Sequence, residues 1–418
     1  MTPRLYAWSL FAALIATAGL PIYIHAPKFY VDSYGVSLAS MGFVLAALRL
    51  IDVVQDPALG WLAESTRPHR KTGVALAVIL LVASMAALFA VTPPIAPLWW
   101  FALCLTGLFS AFSFLTICFY AEGVAKAETL GPGGHLRLAG WREGGSLLGV
   151  CLAAVAPVAL AAATDSPFTA FAALFAVLAI LATLTMQSQW QGHAAEPTPS
   201  PFVLFRPVLA DRLARRLLLI ALLNATPVAV TSTLFLFFVE SRLGLPGWEG
   251  PLLLLFFLAA ALSTPVWTLL ARRYGPRPVL LSAMVLAILA FLWTFTLGTG
   301  DGIAFALICA ASGAALGADL TLLPAIFAQR LSQLGTREAA AFGLWSFVSK
   351  LSLAFAAATL LPALDLAGFK PGPDNSESAL RTLTLIYAAL PCVLKVTAIL
   401  LLAFTPLSEP ARIKEASP

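Results

Sequence analysis

The chain is built from repeated apolar runs of about twenty residues or more, and this limits its fold more than any motif does. Lipid offers no hydrogen-bond partner to a backbone N–H or C=O, so a run of that length must close its own backbone bonds as a helix. About 20 apolar residues cross a hydrocarbon core of about 30 Å. Such runs fall near residues 5–26, 36–62, 72–92, 97–122, 138–163, 166–187, 213–240, 248–271, 277–298, 302–329, 338–364 and 379–405. They predict an all-α integral membrane protein with twelve transmembrane helices. Composition agrees: 60% of residues are hydrophobic and only 11% charged, too few to cover a water-exposed surface. The first run lacks a short apolar core followed by a small-residue cleavage site, so it is expected to stay as the first span. Cys104, Cys118, Cys151, Cys309 and Cys392 lie inside apolar runs without C-x-x-C spacing, and read as small core residues rather than metal ligands.

Basic residues set the expected orientation. With both termini in the cytoplasm, the inside segments carry 17 Lys and Arg and the outside segments four, Lys28, Arg242, Lys370 and Arg381. The basic balance therefore answers to topology, not to nucleic acid. A polar stretch with GHAAEPTPSP divides the chain into an N-terminal six-helix bundle (1–187), a cytoplasmic linker (188–211) and a C-terminal six-helix bundle (212–418). The halves form a weak parallel repeat. GWLAESTRPHRKTG after the second span matches WTLLARRYGPRPVL about 207 residues later, and WREGGSLLG matches WSFVSKLSLAF, with Arg142 and Lys350 inside them 208 residues apart. Two pseudo-symmetric six-helix bundles of this kind are the major facilitator fold, with a solute site between them at mid-membrane. The second match puts Arg142 and Lys350 at equal depth, so they are expected to face each other across that cavity.

Four basic residues fall inside spans, Arg49, Arg142, Lys350 and Lys395, against the acidic Asp52, Asp56, Glu143 and Asp319. Intramembrane charges normally face a bundle interior or a watery cavity and pair there. Arg49, Asp52, Asp56 and Gly60 follow at intervals of three, four and four, and so share one helical face. Two carboxylates one turn apart can take up a proton or a sodium ion. Alternatively, Arg49 and Asp52 form a packing ion pair while Asp56 and Pro57 merely end the span. Arg142 and Lys350 suit an anionic or polyhydroxy solute, or neutralise Asp52 and Asp56. Glu143, next to Arg142, is expected to point elsewhere on its helix and pair with another charge. Asp319 lines the cavity or forms a salt bridge, with Lys395 as a partner. Tyr120 and Trp141 either stack on a solute ring or pack in the core. Tyr23, His25, Phe29 and Tyr30 suggest an interfacial belt of amphipathic rings.

RLIDVVQDPALGW resembles the second-helix motif of the glycoside, pentoside and hexuronide:cation symporters, the melibiose permease group of the major facilitator superfamily. TICFYAEGVAKA with LRLAGWREGGSLLG, and GADLTLLPAIFAQRLSQLGTREAAAFGLWSFVSKLSLAFAAA, are similar to that group's next signatures, so the resemblance covers essentially the whole chain. It implies a cation site at Asp52 and Asp56, with Thr116 at the position of the group's helix-four acid. It also implies substrate contacts from Arg142, Lys350, Tyr120 and Trp141, and a charge network including Arg49, Glu143 and Asp319. A cytoplasmic gate is implied at Arg67, Arg70 and Lys71. The sequence departs from the group at Ala16, where its members carry a sugar-binding Asp, and after the tenth helix, where Gln329 and Arg330 replace an acidic run.

The expectation is a monomeric, cation-coupled symporter of the bacterial inner membrane. It moves a small sugar, glycoside or sugar acid by alternating access, using a proton or sodium and no cofactor. A lysolipid or other amphiphile carrier, and a transport-inactive sensor or assembly factor, are the competing readings. An enzyme is disfavoured: no HExxH or GxSxG occurs, and the four histidines, His25, His69, His135 and His193, are scattered.

Overall fold

The computed structural model describes residues 4–19, 26–27, 29–31, 33–36, 38–190, 201–335, 338–369 and 375–406. The side chain of Arg49, and the whole of Tyr23, His25, Lys28, Arg337 and Lys370, lie outside the described residues. The long helices are α1 (Leu5–Thr17), α2 (Leu38–Ser65), α3 (Arg70–Phe89), α4 (Pro97–Glu128), α5 (Gly134–Ala161), α6 (Pro167–Met186), α8 (Arg212–Phe237), α9 (Glu249–Tyr274), α10 (Pro276–Trp293), α11 (Gly302–Leu334), α12 (Glu338–Leu366) and α13 (Glu377–Ala403). A short helix, α7 (Pro201–Ala210), precedes α8. Each long helix coincides with one expected span. Among the described residues, nine are long and apolar enough to cross a bilayer by length and composition alone. The second span carries Arg49, Asp52 and Asp56, and α2 runs two turns beyond Pro57 to Ser65, so Asp56 and Pro57 do not end it. The polar linker expected over 188–211 is helical from Pro201 to Ala210, with Pro207 inside that helix.

Apolar side chains point outward as well as inward. Leu76, Ile79, Leu262, Leu269 and Ile303 are all more than half exposed, as lipid-facing residues must be. Inside, α1 packs on α5 and α9 on α11 within their halves, while α2 against α12 and α5 against α9 join the halves. The repeat is visible in the helices themselves: Pro57 of α2 and Pro265 of α9 stand 208 positions apart, as do Arg142 and Lys350. The five cysteines are buried and free.

The aromatic residues expected at an interface are partly core. Tyr30 is fully buried and its hydroxyl donates to the Leu88 carbonyl at 3.1 Å. Its ring packs on Phe29, Tyr34 and Phe101. A buried phenol needs a partner for its O–H, and the backbone of α3 supplies one.

Asp211 caps α8. Its Oδ1 accepts from the Ala214 N–H at 2.7 Å, and its carboxylate receives both Nε and Nη2 of Arg330, at 3.1 and 2.7 Å. These bonds hold its pKa below the usual carboxylate range. A depressed carboxylate contributes stability above its unfolded pKa and loses it as pH falls through the folded one. Asp211→Ala is expected to lower stability by about 1–2 kcal/mol at neutral pH, measured by thermal unfolding in detergent.

Candidate functional site

Lys350, on α12 of the second half, reaches into the first half. Its Nζ lies 2.7 Å from Asp52 Oδ1, 3.0 Å from Asp56 Oδ1 and 2.6 Å from Ser113 Oγ. Asp52 and Asp56 sit one turn apart on α2, so one ammonium spans both. Ser346, one turn before Lys350, donates to Asp56 Oδ2 at 2.5 Å. Gln55 Nε2 donates to Asp52 Oδ1 at 3.1 Å and in turn accepts from Ser110 at 2.9 Å. Asp56 is fully buried and Asp52 is 5% exposed. Every polar partner here comes from α2, α4 or α12, and the cluster sits where the two halves cross.

The same crossing closes toward the loops that join α2 to α3 and α11 to α12. A Cβ on Gly60 would lie 3.2 Å from the Ala339 carbonyl oxygen and from Gly343 Cα, and one on Gly343 would meet Gly60 Cα and the Asp56 carbonyl oxygen at 3.0 Å. Only a missing side chain on each helix permits this approach. Beyond it, Arg67 pairs with Glu64 at 3.2 Å and reaches Glu338 of the other half at 3.7 Å. Ser332 and Glu128 form a second link between halves. Of the three expected gate residues, Arg67 therefore bridges the halves. Arg70 instead is buried within the first half, donating to the Ala63 carbonyl at 2.8 Å and to Cys118 Sγ at 2.9 Å, and Lys71 is exposed.

Gly60→Leu is expected to wedge this crossing apart. Overpacking a tight contact costs about 1–3 kcal/mol, enough to shift a two-state population by about 5- to 100-fold. Spin labels on the exposed Lys71 and Gln333, one per half, should show a longer mean distance in the variant.

A cavity of about 350 Å³ lies above the crossing. Thr116 and Tyr120 of α4 line it, together with Asn224 of α8, Asp319 of α11, and Trp345, Ser346, Ser349 and Lys350 of α12. Its size is in the range of small-molecule sites. Among the described residues most of the lining comes from the second half, a skew the repeat does not forecast.

Several expected site residues are placed differently. Thr116 lines the cavity but donates to the Phe112 carbonyl at 2.7 Å; Ser113, one turn earlier, is the hydroxyl that reaches Asp52, at 3.3 Å. Arg142 does not face Lys350 across the cavity. It is buried in the first half, its Nε 2.9 Å from Glu143 Oε1 and its guanidinium 3.6 Å from the centre of the Tyr120 ring. Glu143 does not point elsewhere: it holds its neighbour Arg142 and accepts from Tyr120 Oη at 2.7 Å. Trp141 is 47% exposed and is not part of the cavity wall, so it stacks on nothing there. Asp319 pairs with Lys395, whose Nζ also donates to Asn224 Oδ1 at 2.7 Å. No group of three or more His, Cys, Asp or Glu able to hold a metal ion occurs among the described residues.

Ser113, Ser346, Gln55 and Asn224 are the site residues that sequence reasoning missed. Ser346 had a usable signal, one turn before Lys350 on the same face. Asn224 had another, as a lone amide in the apolar run of the seventh span.

The family described as "MFS/sugar transport protein" matches residues 5–409, nearly the whole chain. The chain belongs to that family. No curated protein sequence matches it. A bacterial homologue of the iron transporter ferroportin, crystallised in the outward-facing state, is similar in structure with TM-score 0.70 at 15% identity, covering 96% of this chain and 99% of that one. The E. coli fucose:proton symporter FucP in the outward conformation is similar with TM-score 0.67 at 16% identity, covering 97% of this chain and 100% of that one. At such identity these likenesses establish the major facilitator fold. Within this MFS/sugar transport protein, the motif of α2 that resembles the melibiose permease group is the segment that carries Asp52 and Asp56.

Proposed function

We propose that the protein is a cation-coupled symporter that moves a small solute, a sugar, glycoside or sugar acid, by alternating access. The observation that carries this is Lys350 of one half seated between Asp52 and Asp56 of the other, at the helix crossing that closes one face of the cavity. Among the described residues two carboxylates meet one ammonium, which leaves a place for one more positive charge. A proton or sodium ion supplies it, and serine and glutamine oxygens stand within reach. The crossing opens only when Lys350 leaves, and leaving a buried charge unpaired costs about 3–5 kcal/mol. An ion bound at the carboxylates takes over Lys350's role and lowers that cost, so ion occupancy and opening are linked. Linkage of this kind is what drives a solute uphill.

The excess of basic residues on the closed face supports a cytoplasmic side for that face and for both termini, and the membrane of this reading is a bacterial inner membrane. The cavity is then presented toward the outside, in keeping with the outward states of the two similar transporters. The protein works as a monomer, its two halves enclosing the whole site.

The test is uptake into proteoliposomes of labelled neutral sugars, sugar acids and a lysolipid, with inward sodium or proton gradients imposed separately. Uphill accumulation of a sugar that an ionophore for one ion abolishes is the expected result. Accumulation of the lysolipid alone favours the amphiphile carrier, and no uptake of any solute favours a sensor.

A further inference from the structure

The second half contains a buried charge site of its own. Asp319 on α11, Lys395 on α13 and Asn224 on α8 are 6%, 4% and 5% exposed. Lys395 donates to Asp319 Oδ2 and Asn224 Oδ1. Asp319 Oδ1 is buried with no hydrogen-bond partner among the described residues. A carboxylate oxygen sealed without a donor is costly, and in a native fold it calls for a group that satisfies it in another state. Asp319 lies between two spaces: the 350 Å³ cavity on one side and a pocket of about 40 Å³, shared with Lys395, on the other. Lys395 also settles the orientation of Asn224. Because Nζ donates to Oδ1, the amide Nδ2 is the group left to donate to whatever occupies the large cavity, which Asn224 lines.

Charge pairing around the cavity is complete for the described cations. Lys350 is matched by Asp52 and Asp56, Lys395 by Asp319, and Arg142 by Glu143. An anionic solute would find no free cation among them, and would be repelled by the carboxylate of Asp319. A hydroxyl is suited to the same place, because it donates to that carboxylate while a neighbouring hydroxyl accepts from Asn224. Trp345 and Leu323 offer the apolar surface that the C–H face of a sugar ring requires.

We infer that Asp319 and Asn224, both held in place by Lys395, form the hydroxyl-recognition site for a neutral polyhydroxy solute. The inference rests on the transporter reading above and narrows its substrate class, setting aside the sugar acids.

The experiment is a thermal-shift titration of the full chain in detergent with L-fucose, D-glucose, methyl α-D-galactoside and D-glucuronate. At least one neutral sugar is expected to raise the melting temperature, with D-glucuronate giving no shift. Asp319→Asn alone strands the Lys395 charge, so it is paired with Lys395→Gln to leave a neutral site. Asn224→Ala, which keeps the Asp319–Lys395 pair, is the second variant. Both are expected to weaken sugar binding at least about 10-fold, because a site built on hydrogen bonds discriminates strongly when one is lost. Wild-type affinity in Asn224→Ala and in a folded double variant, stabilisation by D-glucuronate in preference to the neutral sugars, or no stabilisation by any neutral sugar overturns the inference. No gradient enters this assay, so its failure leaves ion coupling to be judged by accumulation.

Discussion

Asp56→Asn is expected to abolish gradient-driven accumulation while the protein stays folded and still exchanges solute across the membrane. The reason lies in the count of charges. In the wild type one ammonium meets two carboxylates, at 2.7 and 3.0 Å. The amide leaves Lys350 paired one-to-one with Asp52, so no unpaired charge is created and folding is preserved. The place for an extra cation is gone, however. Ser346 keeps a carbonyl oxygen to donate to, so the crossing itself can still form. Ion occupancy no longer biases opening, and the solute only equilibrates. The measurement is the ratio of internal to external solute at steady state in proteoliposomes with an imposed gradient. A ratio falling to about one, with counterflow exchange retained, is the expected result; undiminished uphill accumulation would remove Asp56 from the coupling site.

Lys350→Ala has the opposite imbalance and an effect of similar size. Asp52 and Asp56 are left side by side in a buried site without their ammonium, which favours permanent occupancy by a cation in its place. The lock between α2 and α12 is lost along with its regulation, and accumulation should drop by about 10²-fold, the equivalent of a coupling energy near 3 kcal/mol. Lys350→Arg keeps the charge and should restore part of the activity. A Lys350→Ala protein that merely expresses poorly, yet accumulates solute normally once corrected for yield, would assign the residue to packing alone.

The twelve helices were legible because bilayer thickness imposes one length on each, and because backbone satisfaction allows little else. Asp52 and Asp56 were legible for a different reason: ionisable residues at helical spacing inside a span stand out against leucine and alanine. The repeat paired positions but did not give direction. Arg142 and Lys350 stand 208 positions apart, yet an arginine stem is long enough to turn back onto the adjacent Glu143, and the Tyr120 ring then covers it. Nothing in a 208-residue register distinguishes a side chain that faces the cavity from one folded into its own bundle. Hydroxyls were harder still. Thr116 bonds the carbonyl four residues back, as serine and threonine commonly do in membrane helices, whereas Ser113 crosses to Asp52 and Lys350. Residue type alone does not separate the two uses. Gly60 and Gly343 illustrate the same limit, since each glycine is legible only once the other helix is seen against it.

The central claim is that cation occupancy at Asp52 and Asp56 controls the closed contact between α2 and α12. The most direct measurement is the distance distribution between spin labels at Lys71 and Gln333, recorded with and without sodium and at two pH values, in the wild type and in Asp56→Asn. One of the two cations should broaden the wild-type distribution toward longer distances and leave the variant unchanged. A wild-type distribution indifferent to both ions, or an ion response that survives in Asp56→Asn, would contradict the account.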